Sequence, residues 1–159
     1  HHGKALQKSD ENAKHDGVII DCPISKVDPS KVYQVIIDNS TDDGNFVDLR
    51  VPVMGYTIPL IYRKYKTHEL RFTNEVYSST IHEVLAQISE GEYSQLVNFA
   101  NKMKVDFGEM DVLRDRNSGK IYVVDVNTTP YGPPSGLSKE EQREAVGKLS
   151  DSFCESFMK

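Results

Sequence analysis

Two hairpin patterns constrain the fold of this chain more than any other feature. Met110 to Asp115 and Lys120 to Val126 have the composition of strands, and residues 116–119 between them form a favourable turn sequence. Phe46 to Met54 and Thr57 to Lys66 repeat the pattern around a tight Gly-Tyr turn. Strands joined by short turns pair antiparallel, because a parallel pair needs a long crossover connection. The sequence therefore predicts a mainly antiparallel sheet.

Helices are predicted mainly in the second half of the chain. Between Glu92 and Lys104 the apolar residues recur at helical spacing. Ser138 opens a last helix, with Glu141 three residues on as the partner of a capping box. The shorter segment from Ile81 to Ile88 is also predicted to be helical. Together with the sheet, these segments predict an α+β fold with helices on one face.

The chain length of 159 residues suits a single domain, which we expect over residues 17–159. Residues 1–16 are polar and rich in Lys, so we expect a flexible start or a truncated edge. His1 and His2 are a possible remnant of an expression tag. Val32 to Ile37 is apolar enough to predict a buried strand.

The composition argues against two classes of partner. The net charge is −5 and the sequence pI is about 5.5, whereas nucleic-acid and membrane binding need concentrated Lys and Arg. No apolar run in the sequence is long enough to cross a bilayer. Cys22 and Cys154 are far apart and lack a Cys-x-x-Cys spacing, which favours reduced thiols in a cytoplasmic protein.

Polar side chains on the hairpin at 110–126 form a candidate metal site. If its turn centres near Ser118, Asp111 lies opposite Asp125, and alternation places Asn127 on the same side as Asp125. Like charges opposite each other destabilise a sheet unless a cation offsets them. Mg²⁺ prefers carboxylate oxygens together with substrate phosphates. The pattern therefore predicts a divalent-metal site, with a solvated polar face as the simpler alternative.

The segment around these residues resembles the closing part of ATP-grasp ligases. The sequence reads Met110-Asp111-Val112-Leu113-Arg114, a short turn, and then Val123-Val124-Asp125-Val126-Asn127-Thr128-Thr129-Pro130. In that family, acidic residues and an Asn at these places ligate the Mg²⁺ that bridges the ATP phosphates. The resemblance implies that Asp111, Asp125 and Asn127 bind Mg²⁺ or Mn²⁺, with Asp125 standing where the family usually has Glu. It also implies the C-terminal subdomain of the ATP-grasp fold.

Residues upstream extend the resemblance to about residues 30–134 and imply an ATP site. The residues implied to bind the nucleotide, through the hinge strand and the strands that follow it, are Gln34, Val35, Ile36, Asp48, Arg50 and Asn74. The residues implied to assist catalysis are the cations Arg63, Lys64 and Arg71. Phosphoryl transfer needs positive charge around its oxygens, which these cations would supply. Each also has a simpler interpretation as an exposed strand or turn residue.

The resemblance implies an ATP-dependent carboxylate–amine ligase, or part of one, that works through an acyl phosphate. Its partners would be the nucleotide and a small-molecule or peptide carboxylate. The glycine-rich loop of the family's first subdomain has no match in this sequence. A binding or scaffold module without catalysis, able to form homo-oligomers through a sheet edge, is therefore an alternative. A small-molecule kinase of the same fold is a second alternative.

Overall fold

A small antiparallel sheet of three strands begins the structure. The computed structural model describes residues 2–11, 16–71, 73 and 75–158. Its first strands are β1 (Gly3–Ser9), β2 (Val18–Cys22) and β3 (Lys31–Val35). We expected a flexible start or a truncated edge over residues 1–16, whereas β1 is the middle strand and pairs with both others. Pairing on both sides orders a segment whose polar composition does not signal a strand.

The remaining strands form a second, five-stranded sheet. In chain order they are β4 (Phe46–Met54), β5 (Ile61–Lys66), β6 (Ser78–His82), β7 (Phe107–Arg114) and β8 (Ile121–Asn127). Their order across the sheet is β6-β5-β4-β7-β8, and all neighbours are antiparallel. The two predicted hairpins are confirmed as β4–β5 and β7–β8. Pairing of β4 with β7 joins the hairpins at the centre of the sheet.

The segment from Ile81 to Ile88 differs from the predicted helix. Its first two residues close β6, and only a short 3₁₀ turn over Val84–Ala86 follows. Ile81 lies opposite Tyr62 in the sheet, whereas Ile88 belongs to the main hydrophobic core. The apolar residues of this segment therefore serve two different elements. A short apolar run cannot distinguish that arrangement from one amphipathic helix.

Two helices complete the fold, α1 (Glu90–Met103) and α2 (Lys139–Phe157). α1 begins with a capping box between Ser89 and Glu92. The capping box predicted for α2, between Ser138 and Glu141, is confirmed. Each box satisfies backbone N–H groups that have no partner within the helix. In the part of the chain that the structure describes, neither helix is long and apolar enough to cross a membrane.

The two helices lie on opposite faces of the five-stranded sheet. Residues opposite each other in neighbouring strands share a face, and alternate residues change face. Leu96 and Ala100 of α1 pack in the main core, and we call this side the α1 face. Ala145 of α2 packs with Leu60 and Tyr62 on the other side, the α2 face. The sheet residues in the main core are Leu49, Val51, Val53, Ile61, Met110 and Val112.

The α+β class is therefore confirmed, but the helices do not share one face as expected. Both faces of this sheet carry an apolar patch, so each patch needs its own cover. α2 covers the patch on its face with Ala145 and, farther along, Phe153, whose ring meets that of Phe107 at 6.0 Å. The middle of the α2 face carries charged side chains instead, and these form the candidate site.

Candidate functional site

Charged side chains from β4, β5, β7 and β8 meet on the α2 face. Asp48 lies opposite Lys64 of β5. Arg50 lies opposite Asp111 of β7. Asp111 in turn lies opposite Asp125 of β8, as predicted, although the pairing shifts by one residue between Asp111 and Val112. Because opposed residues share a face, candidates from four separate strands converge on one surface.

Two cations hold Asp111. Its Oδ1 atom accepts hydrogen bonds from Lys64 Nζ at 2.8 Å and from Arg50 Nε at 3.2 Å. Lys64 is 5% exposed, whereas the side chain of Asp111 keeps 26% exposure. Burial raises the pKa of Asp111, but the charges of Lys64 and Arg50 outweigh burial and hold the pKa below its ordinary value. Asp111 is therefore an anion, and both of these hydrogen bonds fall on the same one of its two oxygens.

Glu109 joins this group, although it was not among the residues predicted from the sequence. It lies two residues before Asp111 on β7, so strand alternation places both on the α2 face. Glu109 is 5% exposed, and its Oε2 lies 3.6 Å from Arg50 Nε. Burial raises the pKa of Glu109, and the charge of Arg50 opposes that rise. The alternation of side chains along a strand would have identified Glu109 as a neighbour of Asp111 from the sequence.

Asp125 and Asn127 lie on β8, which is an edge strand, and both are exposed. Asn127 lies opposite Glu109. Its Oδ1 accepts from the backbone N–H of Thr129 at 2.9 Å and from the Thr129 hydroxyl at 3.2 Å. This oxygen closes a turn at the start of the loop that follows β8. Asn127 would have to leave this turn in order to ligate a metal through Oδ1.

The donor set suits a cation that arrives with phosphate ligands. Within residues 2–11, 16–71, 73 and 75–158, no three His, Cys, Asp or Glu side chains are placed to hold one metal ion. Asp111 and Asp125 supply two opposed carboxylates, and Mg²⁺ is commonly bound by one or two carboxylates plus substrate phosphates. These residues therefore fit Mg²⁺ carried by a nucleotide better than a closed site made of protein ligands.

Asp48 is part of a second polar group, nearer the start of β4. Its Oδ2 lies 2.8 Å from Lys66 Nζ, and its Oδ1 accepts from Asn39 Nδ2 at 2.8 Å. Lys66 also donates to the carbonyl of Thr73 at 2.8 Å. Asn39, Asp48 and Lys66 are all buried residues, with exposures of 6%, 9% and 7%. Asp48 thus links the connection between the two sheets to β5, through partners (Asn39 and Lys66) that the sequence pattern did not indicate.

Arg63 does not reach this surface. It lies opposite Leu49, a residue of the main core, so its side chain leaves the sheet on the α1 face. Its guanidinium lies 5.2 Å from the ring centroid of Tyr65. The structure therefore does not bring Arg63 together with Lys64 on the α2 face, because neighbouring residues on a strand point to opposite faces.

The described residues of the predicted hinge strand, and Arg71 among the predicted catalytic residues, lie at the connection between the sheets. Gln34 and Val35 end β3, and Ile36 follows it without regular structure. Arg71 donates to the carbonyl of Ile37 at 3.0 Å, and its guanidinium lies 4.2 Å from the ring centroid of Phe46. Asn74 lies outside the described residues. The structure thus brings Arg71 to the segment that follows the predicted hinge strand.

Comparison with known proteins supports the fold. No family model and no curated protein matches the sequence, but thirteen chains of solved structures match. The ATP-grasp ligase PsnB complexed with a minimal precursor has a TM-score of 0.59 and 15% identity, covering 97% of this chain and 48% of that chain. PsnB complexed with a phosphomimetic variant of the minimal precursor, Mg and ADP has a TM-score of 0.57 and 17% identity, covering 97% and 46%.

The chain therefore has an ATP-grasp-like fold, which confirms the resemblance seen in the sequence. It spans about half the length of these solved structures.

Proposed function

We propose that this chain forms the Mg²⁺- and ATP-binding part of a carboxylate–amine ligase that works through an acyl phosphate. One observation carries the proposal. Asp111 lies opposite Asp125, with Lys64 and Arg50 bonded to Asp111 on the same face. In a fold similar to that of a ligase complexed with Mg and ADP, opposed carboxylates beside two cations suit a phosphate-bound metal.

Asp111 and Asp125 would hold the metal. Bound Mg²⁺ supplies positive charge to phosphate oxygens, which carry the developing charge of phosphoryl transfer. Lys64 and Arg50 already lie at Asp111, so both donors are near the phosphates that the metal would bring. Arg50 can use its planar fork of N–H groups, whereas Lys64 acts as a compact point charge.

The adenine and the acceptor carboxylate would lie on opposite sides of the phosphates. The buried group of Asp48, Lys66 and Asn39 lies toward the connection between the sheets, where the backbone of residues 34–36 would bind adenine. The acceptor carboxylate would lie beyond the phosphates. PsnB is complexed with a minimal precursor, and the acceptor for this chain would be a small-molecule or peptide carboxylate.

Calorimetry with ADP tests the binding part of the proposal. We expect ADP to bind in the presence of Mg²⁺ and to bind at least tenfold more weakly when EDTA replaces the metal. Asp125→Asn should remove most of this dependence on Mg²⁺ without disturbing folding, because Asp125 is exposed on the edge strand. Asp151→Asn on the exposed side of α2 is the matched control and should bind as the wild type does.

Trapping with hydroxylamine tests the reaction. A ligase yields a hydroxamate from ATP and a carboxylate, because the acyl phosphate is attacked by hydroxylamine. A stable phosphoester without hydroxamate would replace this proposal with the small-molecule kinase. If ADP binds but ATP is not turned over with any member of a panel of peptide and small carboxylates, the scaffold module would be the remaining explanation. Absence of ADP binding by the folded wild type would refute the proposed function itself.

A further inference from the structure

Arg50 stands between two carboxylates of the same strand. Its Nε lies 3.2 Å from Asp111 Oδ1 and 3.6 Å from Glu109 Oε2. Asp111 is shared with Lys64, so Glu109 supplies the second negative charge beside these two cations. Burying a carboxylate to 5% exposure is unfavourable unless that carboxylate has a partner of its own. The position of Glu109 therefore indicates a role beyond the pairing seen between Arg50 and Asp111.

The hydroxyl of Tyr62 shows that polar groups beside Arg50 are not all satisfied in this arrangement. Tyr62 lies opposite Arg50 on β5, so its ring shares the α2 face. It is fully buried, and its hydroxyl has no hydrogen-bond partner within the described residues. Buried hydroxyls without partners are uncommon in proteins. A second arrangement of the neighbouring charged groups would give this hydroxyl an acceptor.

Metal binding would require such a second arrangement. A divalent cation on Asp111 would lie close to Arg50 and Lys64, which both donate to Oδ1 of that residue. Like charges at such short range repel strongly where solvent screening is limited. Both cations bond to Oδ1, which leaves Oδ2 of Asp111 for the metal, and Arg50 has the longer contact of the two, 3.2 Å against 2.8 Å. Arg50 is therefore the cation that would move away from Asp111. Without another carboxylate nearby, the guanidinium would turn toward solvent and be lost to the phosphates.

We propose that Glu109 is a positioning residue that holds Arg50 at the site when Asp111 binds the metal. This inference rests on the proposed function. The displacement is short, because Nε of Arg50 is already 3.6 Å from Glu109. An ion pair through Nε leaves the terminal N–H groups of the guanidinium available for phosphate oxygens. Tyr62 lies opposite Arg50 on the same face, so its hydroxyl would be a candidate donor to a carboxylate that moves within reach.

The affinity for Mg²⁺·ADP, measured by calorimetry without any turnover, tests this role. We expect Glu109→Gln to weaken Mg²⁺·ADP binding about tenfold, the effect of losing one charge-assisted contact. In an Arg50→Gln background the same substitution should change the affinity less than about twofold, because no guanidinium is left to hold. Glu144→Gln is the matched control, since Glu144 pairs with Lys148 on the surface of α2, away from the site.

The stability of the protein without nucleotide separates positioning from a structural role. Arg50 keeps Asp111 as its partner in Glu109→Gln, so the urea midpoint should stay close to that of the wild type. Nitrogen-15 spectra of the wild type give a second measure that does not depend on a folded variant at Glu109. The Nε–H signal of Arg50 should remain protected from solvent exchange after Mg²⁺·ADP is added.

Four results would overturn the inference. Glu109→Gln could bind Mg²⁺·ADP as tightly as the wild type, or its loss of affinity could persist at full size in the Arg50→Gln background. Glu109→Gln could lower the urea midpoint without nucleotide as much as it lowers affinity, which would make the role structural. The Arg50 signal could exchange freely in the complex. Failure of the wild type to bind Mg²⁺·ADP is a separate result, because it would remove the proposed function together with this inference.

Discussion

Neutralising Asp111 should destabilise the protein even when no nucleotide or metal is added. In Asp111→Asn the buried ammonium of Lys64 loses its anion at 2.8 Å, and Arg50 loses the nearer of its two carboxylates. Removing one partner of a fully buried ion pair costs about 3–5 kcal/mol. Asp111 keeps 26% side-chain exposure, Arg50 retains Glu109, and the Asn oxygen still accepts hydrogen bonds. We therefore expect a loss of about 2–3 kcal/mol in the free energy of unfolding.

The register partner of Asp111 provides a matched control. Asp125→Asn is the same chemical change at the residue directly opposite, but Asp125 is exposed on the edge strand. Its neutralisation should change the free energy of unfolding by less than about 0.5 kcal/mol. The variant should be slightly more stable than the wild type, because a like charge opposite Asp111 is removed.

Urea denaturation followed by circular dichroism, in buffer with EDTA, measures both changes. With a slope of about 1–3 kcal/mol per molar urea, Asp111→Asn should lower the midpoint by about 1 M or more. Equal midpoints for Asp111→Asn and the wild type would refute the account of Lys64 and Arg50 as structural partners of Asp111. A large loss in Asp125→Asn would refute the claim that only one of the two carboxylates supports the fold. Binding studies of the metal site should therefore use Asp125→Asn.

Two further predictions concern the support of the site. Hydrogen bonds from Arg114 are the main cause that lowers the pKa of Glu92. The stability that this pair contributes is therefore fully present above the ordinary Glu pKa. It is lost as pH falls through the lowered value. Glu92→Gln should accordingly cost about 1 kcal/mol near neutral pH and progressively less as pH falls through the lowered pKa of Glu92, in urea melts at neutral and acidic pH. Gly136 has φ +86°, and an added Cβ would lie 3.0 Å from the backbone of Ser78. Gly136→Ala should therefore lower the free energy of unfolding by about 2–3 kcal/mol. Gly132→Ala is the control, with a loss of about 1 kcal/mol, because φ is +125° and the space around it is open. Equal losses in thermal melts would mean that the contact with β6 contributes nothing.

Local patterns were sufficient for much of the candidate site. The turn at residues 116–119 sets the register of β7 and β8 as far as Val112 and Val123. A shift of one residue between Asp111 and Val112 then places Asp111 opposite Asp125. The capping box at Ser138 marked the start of α2 in the same way. These features depend on residues close in sequence, where turn chemistry and strand period act directly.

Other parts of the site depended on register between distant segments. The two-residue turn at Gly55-Tyr56 brings Met54 opposite Thr57, but the pairing of β4 with β5 is shifted by one residue from that register. The local pattern therefore did not determine whether Arg63 or Lys64 shares a face with Asp48. The pairing selects Lys64, and a shift of one residue would have selected Arg63. The partners of Asp48, which are Asn39 and Lys66, come from segments that are brought together by the folded chain.

The amino-acid sequence alone predicts two antiparallel hairpins and a mainly antiparallel sheet. It also predicts that Asp111 and Asp125, which resemble the metal end of an ATP-grasp site, lie opposite each other, but the folded chain reaches that pairing through a register shift beside Asp111. Three-dimensional packing determines which face each side chain of β4 and β7 occupies. It therefore also determines which cations reach Asp111. The pairing of Arg50 with Asp111 joins residues 61 positions apart. Turn residues and strand alternation act within a few residues, whereas pairing of that kind is set by burial of the apolar faces against α1 and α2.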